Sequence, residues 1–150
     1  MTPAITLRPY ALSDQEATIE LWRRTWQAAY PAIDFAARVE WWRARWRDEL
    51  LPVATVTVAE ADGEMIGFVT VDPKTGYLDQ IVVAPEAWGS GGAQALVAEA
   101  KRIAPDGLDL HVNADNVRAI RFYEKHGFVI TGPDKNPISG KPVFRMSWRP

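Results

Sequence analysis

Residues 82–100, VVAPEAWGSGGAQALVAEA, join an apolar run to a helical pattern through a glycine-rich turn. The apolar run ends at Pro85, and from Ala93 onward apolar residues recur at the spacing of one helix face. Glycines serve a turn that needs positive φ, but they also let a phosphate oxygen reach the unsatisfied N–H groups at a helix N-terminus. The stretch therefore predicts a strand, a turn and a helix, with two interpretations of the glycines.

Two familiar phosphate-binding patterns do not fit this loop. The P-loop requires Lys and Ser or Thr after its last glycine, whereas Gly92 is followed by Ala93 and Gln94. The dinucleotide pattern G-x-G-x-x-G, counted from Gly89 and Gly91, requires a third glycine where Gln94 stands. On its own, the loop leaves both a phosphate site and a simple turn open.

The composition is that of a globular protein, and 150 residues predict one domain over 1–150. The net charge of −2 argues against nucleic acid and acidic membrane surfaces as partners. The absence of cysteine excludes disulfides and a cysteine nucleophile, and with two histidines we expect no metal. We find no signal-peptide pattern and no apolar stretch long enough to span a bilayer, so we expect a cytoplasmic protein.

Hydrophobic periodicity predicts the order β α α β β β α β α β β. The first strand is expected at 5–10, followed by a helix that starts at a capping box of Ser13 and Glu16 and ends near Tyr30. The later elements are a helix at 35–51, meander strands at 53–59, 65–71 and 77–83, a helix at 93–103, a strand at 108–113, a helix between Asp115 or Asn116 and Gly127, and strands at 128–131 and 143–148. The alternation of strand and helix in the second half favours one parallel strand pair there.

A second segment at 113–128, NADNVRAIRFYEKHGF, changes the weight of the two interpretations. It resembles a signature of the GNAT superfamily of acyl-CoA-dependent N-acyltransferases, Asn-x-x-Ala-x-x-Phe-Tyr-Glu-x-x-Gly-Phe, through Asn116, Ala119, Phe122, Tyr123, Glu124, Gly127 and Phe128. The loop at 88–93 is similar to that family's coenzyme-A loop, Arg/Gln-x-x-Gly-x-Gly/Ala after a strand ending in Val-x-Pro. Trp88 departs from the Arg or Gln of the family, which puts the affinity for coenzyme in question but leaves the backbone donors in place.

The resemblance implies an α/β (α+β-like) GNAT fold, with a mixed, mostly antiparallel seven-stranded sheet flanked by about four helices. It implies an enzyme that moves an acetyl group from the co-substrate acetyl-CoA to a primary amine of a small molecule or peptide by direct attack. A homodimer is also expected for such a family. The alternative is a regulatory module that binds acyl-CoA without catalysis.

The coenzyme contacts are carried over from the family residue by residue. Ile81, Val82 and Val83 would line the pantetheine and thioester, and a backbone N–H of Val82 or Val83 would face the thioester oxygen. Asn116 would fix the coenzyme arm or the start of its own helix. The pyrophosphate would rest on backbone N–H groups of Trp88, Gly89, Ser90, Gly91, Gly92 and Ala93.

Tyr123 is the candidate general acid, because a phenol can hydrogen-bond or protonate a leaving thiolate. Its alternative is a place in the core beside Phe122. Asp79 is the candidate base, with strand alternation placing it on the face of Ile81 and Val83. Its alternative is an ordinary ion pair.

The remaining candidates concern the acceptor amine. His111, a second candidate base, joins Gln80 and Asn113 as expected acceptor contacts. The alternatives are a structural role for His111 and hydrogen bonding to the local backbone for Asn113. The segment at 21–33, LWRRTWQAAYPAI, resembles a Trp-x-x-Ala-Tyr segment of one GNAT subgroup, and it adds Trp26 and Tyr30 unless these only pack on the sheet. The segment at 40–49, EWWRARWRDE, could suggest nucleic-acid binding, but its acidic residues favour an amphipathic helix.

Overall fold

A computed structural model of the protein describes residues 4–137 and 139–150. Within these residues lie seven strands and four α-helices, together with short 3₁₀ turns. In chain order they are β1 (Thr6–Pro9), α1 (Gln15–Ala29), α2 (Val39–Arg45), β2 (Thr55–Ala61), β3 (Glu64–Val71), β4 (Leu78–Val83), α3 (Gly92–Ile103), β5 (Leu108–Asn113), α4 (Val117–Lys125), β6 (Val129–Lys135) and β7 (Pro142–Trp148).

The strands form two antiparallel sheets, one in the order β1-β2-β3-β4 and one in the order β5-β7-β6. β4 and β5 run parallel, and an isolated bridge between Tyr77 and Asp109 joins them. Beyond this bridge they make no further pairing within the described residues, so their facing edges border a cleft. The predicted α/β fold class is confirmed, with the refinement that the mixed sheet is divided into two hydrogen-bonded parts.

Two apolar cores hold the edges of the cleft. One core lies under α3 and α4 and spans both sheets, and Leu96, Leu110 and Met146 are at most 1% exposed there. The other lies between α1, α2 and the first sheet, where Trp22 and Trp42 stack with ring centroids 4.7 Å apart. Buried aromatic rings remove large areas from water, so α1 and α2 are anchored firmly over one face of the first sheet.

The start of α1 differs from the prediction. Ser13 lies in a 3₁₀ turn, and the carboxylate of Asp14, instead of Ser13, accepts the N–H of Ala11 at 2.8 Å. Two further hydrogen bonds from Arg8 fix that carboxylate and, as the main cause, lower the pKa of Asp14. Glu16, the second member of the predicted capping box, pairs with Arg43 instead. The capping-box prediction was wrong because Ser13 lies inside the 3₁₀ turn that precedes α1 and Glu16 pairs with Arg43.

Two other element boundaries were also wrong. The predicted helix at 35–51 is divided into a 3₁₀ turn, α2 and a π-helical turn (Trp46–Leu50), in which the N–H of Leu51 bonds to the carbonyl of Trp46 at 2.9 Å. The predicted strand at 128–131 continues through Pro133 to Lys135. β6 is an edge strand, where a proline without an N–H is tolerated.

Candidate active site

The loop between β4 and α3 has the backbone that its glycines permit. Gly89 has a φ of +81° and Gly91, the N-cap residue of α3, has a φ of +93°. Residues with a Cβ rarely adopt these angles. A Cβ built at either position would meet no atom within 4 Å. The glycines therefore provide the conformation and leave the space beside the backbone open.

Four backbone N–H groups of this loop have no acceptor within the described residues: those of Gly89, Gly91, Ala93 and Gln94. Two of them belong to the first turn of α3, which is 12 residues long. The start of a helix carries a partial positive charge, so unpaired donors at this place favour an anion. The group that the site can hold by its own chemistry is a phosphate or pyrophosphate.

Other N–H groups of the loop are already paired. Those of Trp88 and Ser90 donate to the carbonyls of Pro85 and Ala87, at 3.2 and 3.1 Å. That of Gly92 lies 3.3 Å from the Oγ of Ser90. The expected backbone donation from Trp88 and Ser90 to a pyrophosphate is therefore not available in this conformation.

Trp88 instead organises the side of the cleft. Its indole Nε1–H donates to the carbonyl of Val83 at 2.8 Å, and the guanidinium of Arg118 lies 4.2 Å from the ring centroid. Both residues line a cavity of about 460 Å³ together with the loop and Phe122 of α4. Arg118 brings a positive charge beside the free N–H groups. Sequence reasoning missed Arg118, although it lies two residues after the helix cap Asn116.

The edge of β4 presents alternate residues to the cleft. The N–H of Ala84 donates to the carbonyl of Ile66 at 2.8 Å. In an antiparallel ladder, backbone bonding to one neighbour alternates along the strand, so Val82 also points its N–H toward β3. Ile81 and Val83 point theirs toward the cleft. Of the two predicted donors to the thioester oxygen, the structure excludes Val82 and leaves Val83.

Tyr123 of α4 lies in the core shared by both sheets, 8% exposed, with its ring 5.5 Å from those of Phe122 and Phe128. Its hydroxyl makes no hydrogen bond within the described residues. Burial raises the pKa of Tyr123, so the phenol is neutral and carries its proton. Tyr123 therefore occupies the core position given as its alternative, and its role as a general acid stays a prediction.

Asp79 does not lie where strand alternation placed it. The β3–β4 register shifts so that Thr70 pairs with Gln80 and Val71 with Leu78, which leaves Asp79 in a bulge. Its carboxylate turns toward α2 and forms a two-pronged ion pair with Arg45, at 3.0 and 2.7 Å. The side chain of Gln80 adds a third hydrogen bond at 3.2 Å. Asp79 thus matches its alternative as an ion-pair partner, and any proton transfer would have to break that pair.

The polar face of β5 lies opposite the core that contains Tyr123. Leu110 and Val112 enter that core, so His111 and Asn113 project from the other face. The amide of Asn113 donates to the hydroxyl of Tyr30 at 3.0 Å, and that hydroxyl is also 3.0 Å from a carboxylate oxygen of Asp115. The end of α1 is thereby tied across the cleft to the end of β5.

Three further facts complete this face. Trp26 stacks on Tyr30 with centroids 5.8 Å apart, and burial raises the pKa of Tyr30. The Tyr77 hydroxyl is 2.7 Å from Nδ1 of His111, whose Nε2 is 3.2 Å from a carboxylate oxygen of Asp134. Sequence reasoning did not identify Tyr77 or Asp134 as site residues.

Residues 16–128 match the family described as "Acetyltransferase (GNAT) family", and this range includes all but the first residue of α1, both sides of the cleft and the whole glycine loop. This chain belongs to the GNAT family. It is an N-acetyltransferase. The family resemblance of the two sequence segments is confirmed.

Relatives of similar length support the membership of this enzyme in the GNAT family. It is 32% identical over 139 residues to peptidyl-lysine N-acetyltransferase YjaB of Salmonella typhimurium strain LT2, with 92% of each chain covered. It is 31% identical over 142 residues to peptidyl-lysine N-acetyltransferase YiaC of Escherichia coli K12, with 95% of each covered. The crystal structure of PaiA N-acetyltransferase from Thermoplasma acidophilum in complex with coenzyme A shares the fold, with a TM-score of 0.81, 23% identity and coverage of 98% and 99%.

The GNAT enzyme uses Asn116 to start α4, since its side-chain oxygen accepts the N–H of Ala119 at 3.2 Å. This is one of the two roles expected of Asn116. Within residues 4–137 and 139–150, no three His, Cys, Asp or Glu side chains come together as metal ligands. None of the helices in the same residues has the length and apolarity needed to cross a bilayer.

Proposed function

We propose that this GNAT acetyltransferase acts on the side-chain amine of lysine in a peptide or protein. The observation that carries the proposal is the pair of near-full-length relatives named peptidyl-lysine N-acetyltransferases, at 32% and 31% identity. The acceptor face agrees with a cationic amine, because the carboxylates of Asp115 and Asp134 lie along the polar side of β5.

Acetyl-CoA supplies an activated thioester, and the chain positions it by two kinds of contact. The free N–H groups of the glycine loop and the guanidinium of Arg118 hold the pyrophosphate at one end of the cleft. The cleft-facing backbone of Ile81 and Val83 offers hydrogen bonds to an extended arm, as a neighbouring strand would. Trp88 competes for one of these groups, the carbonyl of Val83.

The two faces of the cleft then have different chemical tasks. The amine enters from the side of α1 and α2, and Tyr123 stands on the opposite side. The N–H of Val83 donates to the thioester oxygen as negative charge develops there, a contribution of about 3 kcal/mol for a single preorganised donor. Tyr123 gives its proton to the leaving thiolate. The chain has no cysteine, so no acyl-cysteine intermediate can form, and the amine attacks the thioester directly.

The alternative of a non-catalytic acyl-CoA-binding module is not favoured by these relatives, which are named as enzymes. We propose in addition a single domain over 1–150, a cytoplasmic location, a homodimer, and no metal, nucleic-acid or membrane partner. These statements rest on the composition and on the family resemblance.

The test is acetyl-CoA-dependent thiol release with three acceptors: a lysine peptide blocked at its N-terminus, a lysine-free peptide with a free N-terminus, and a polyamine. We expect release with the blocked lysine peptide and acetyl-lysine by mass spectrometry. Release with only one of the other acceptors would exclude lysine. Coenzyme binding by calorimetry without release from any acceptor would instead support the binding module.

Tyr123→Phe is the matched variant for catalysis, because it keeps the ring in the core and removes only the hydroxyl. Loss of a general acid lowers kcat by about 100-fold or more. The calorimetric Kd for coenzyme A should stay within twofold of the wild-type value. An unchanged kcat would remove Tyr123 from the mechanism.

A further inference from the structure

Side chains from three separate segments form one hydrogen-bonded chain on the acceptor face. Tyr77 precedes β4, His111 lies in β5 and Asp134 lies in β6. The Tyr77 hydroxyl is 2.7 Å from His111 Nδ1, and His111 Nε2 is 3.2 Å from Asp134 Oδ2. The three positions are 34 and 23 residues apart in sequence, so only the fold brings them together.

The chemistry of the two end groups gives this chain a direction. The backbone N–H of Lys135 and then the imidazole of His111 lower the pKa of Asp134, so its carboxylate is ionised and can only accept. His111 therefore carries its proton on Nε2 and accepts at Nδ1. Burial raises the pKa of Tyr77 to about 12, so this phenol keeps its proton and donates it to Nδ1.

The parallel bridge places the chain at the closed end of the cleft. Tyr77 and Asp109 are bridge partners, so His111 lies two residues beyond the bridge on β5, level with Asp79 on β4. From Val83, next to the glycine loop, back to Asp79 is about 13 Å along the strand. A coenzyme arm that starts at the loop and follows Ile81 runs toward this end.

The other acidic group at this level is already occupied. Asp79 receives both prongs of Arg45 and the amide of Gln80. The imidazole of His111, by contrast, accepts a hydrogen bond from the Tyr77 hydroxyl and donates one to the Asp134 carboxylate, and both partners can take part in proton transfer. Arg145, its register partner on β7, bonds to Thr131 instead of joining the chain.

We propose that Tyr77, His111 and Asp134 form a proton relay that deprotonates the acceptor ammonium, an inference that rests on the proposed function. The ammonium gives one proton to the Tyr77 oxygen while the Tyr77 proton moves to His111 Nδ1. The resulting imidazolium keeps its Nε2–H on Asp134 and later releases a proton to solvent. The neutral amine attacks, and its second proton replaces the one that Tyr123 gives to the thiolate.

The test compares His111→Gln, Tyr77→Phe and Asp134→Asn with the wild type on the blocked lysine peptide. A missing base lowers kcat by about 100-fold, so we expect that loss for His111→Gln and smaller losses for the other two. The Kd for coenzyme A and the melting temperature should remain close to wild type. Ser147→Ala is the matched control, because Ser147 bonds to Asp109 on the same sheet face and lies outside the relay.

A second readout separates proton transfer from a structural role. Added imidazole should restore turnover of His111→Ala and leave the wild type unchanged. A His111→Gln enzyme within twofold of the wild-type kcat, or a His111→Ala loss that imidazole does not repair, overturns the relay while the proposed function stands. A wild type that acetylates no lysine peptide overturns the proposed function, and the relay with it.

Discussion

The two sides of the cleft use different parts of the chain. On the side proposed for the coenzyme, called the coenzyme side below, the glycine loop and the edge of β4 offer backbone groups, with four free N–H groups in the loop among the described residues. On the acceptor side, between α1, α2 and β5, side chains bond to each other: Arg45 to Asp79, Tyr77 to His111, and Tyr30 to Asn113. The first surface is open before a ligand arrives, whereas the second is already paired.

This difference indicates how the two ligands are selected. Backbone donors at a helix start recognise any diphosphate of the right shape, so they suit a coenzyme common to a whole family. Side chains that are already paired with each other must exchange partners when an amine enters. We therefore expect the residues of this network to decide which amine is accepted. Substitutions on the two sides should therefore separate coenzyme affinity from acceptor turnover.

The largest effect is expected at Gly91. Gly91→Val places a β-branched residue at a φ of +93°, which costs about 1–3 kcal/mol or forces the loop to move its donors. The Kd for coenzyme A should rise by about 10- to 100-fold, measured by calorimetry. Gly132→Ala is the control, because Gly132 lies outside the positive-φ set and a Cβ there meets nothing within 4 Å. Equal affinity for both variants would contradict a role for the loop backbone.

A smaller effect is expected at the ion pair of the acceptor side. Asp79 and Arg45 are 16% and 23% exposed at their side chains, so removing one leaves the other charge poorly solvated. Asp79→Leu or Arg45→Leu alone should lower the free energy of unfolding by about 1–3 kcal/mol in urea titrations. The double variant should recover part of that loss. Coenzyme affinity should not change in any of the three.

The smallest effect is expected at Arg118, the side chain that joins the coenzyme side. Arg118→Gln should raise the Kd for coenzyme A by about fivefold, in line with about 1 kcal/mol for one exposed charge. The loss should shrink as salt is added, because screening already weakens the wild-type contact. Arg121→Gln is the matched control, because Arg121 is also exposed and lies in the same helix as Arg118. If both variants bind alike, Arg118 makes no specific contact.

The coenzyme side was largely predictable because its determinants are contiguous. The strand, the glycines and the helix follow one another within residues 82–100. The conformation of the glycine turn alone sets how the strand leads into the helix. The choice between Val82 and Val83 was not predictable, because it depends on the phase of the ladder with β3.

The acceptor side was only partly predictable. Tyr30, Asp79, His111 and Asn113 stood out as residue types, but, apart from the neighbouring Gln80, their partners are 23 to 85 residues away in sequence. The bulge that turns Asp79 toward Arg45 leaves no signal in the alternating strand pattern. A sequence pattern does not show which distant side chains form hydrogen bonds with each other in the fold.

The solitary bridge between Tyr77 and Asp109 has a mechanical consequence. Past that point, β4 and β5 share a core but, among the residues that the structure describes, no ladder of hydrogen bonds, so their spacing can change without breaking backbone bonds between them. The bridge lies beside Tyr77 and His111 of the proposed relay, and the glycine loop lies at the opposite end of β4. A small rotation about the bridge would displace the glycine loop more than the residues beside the bridge, so the proposed coenzyme side could open while the proposed relay kept its spacing.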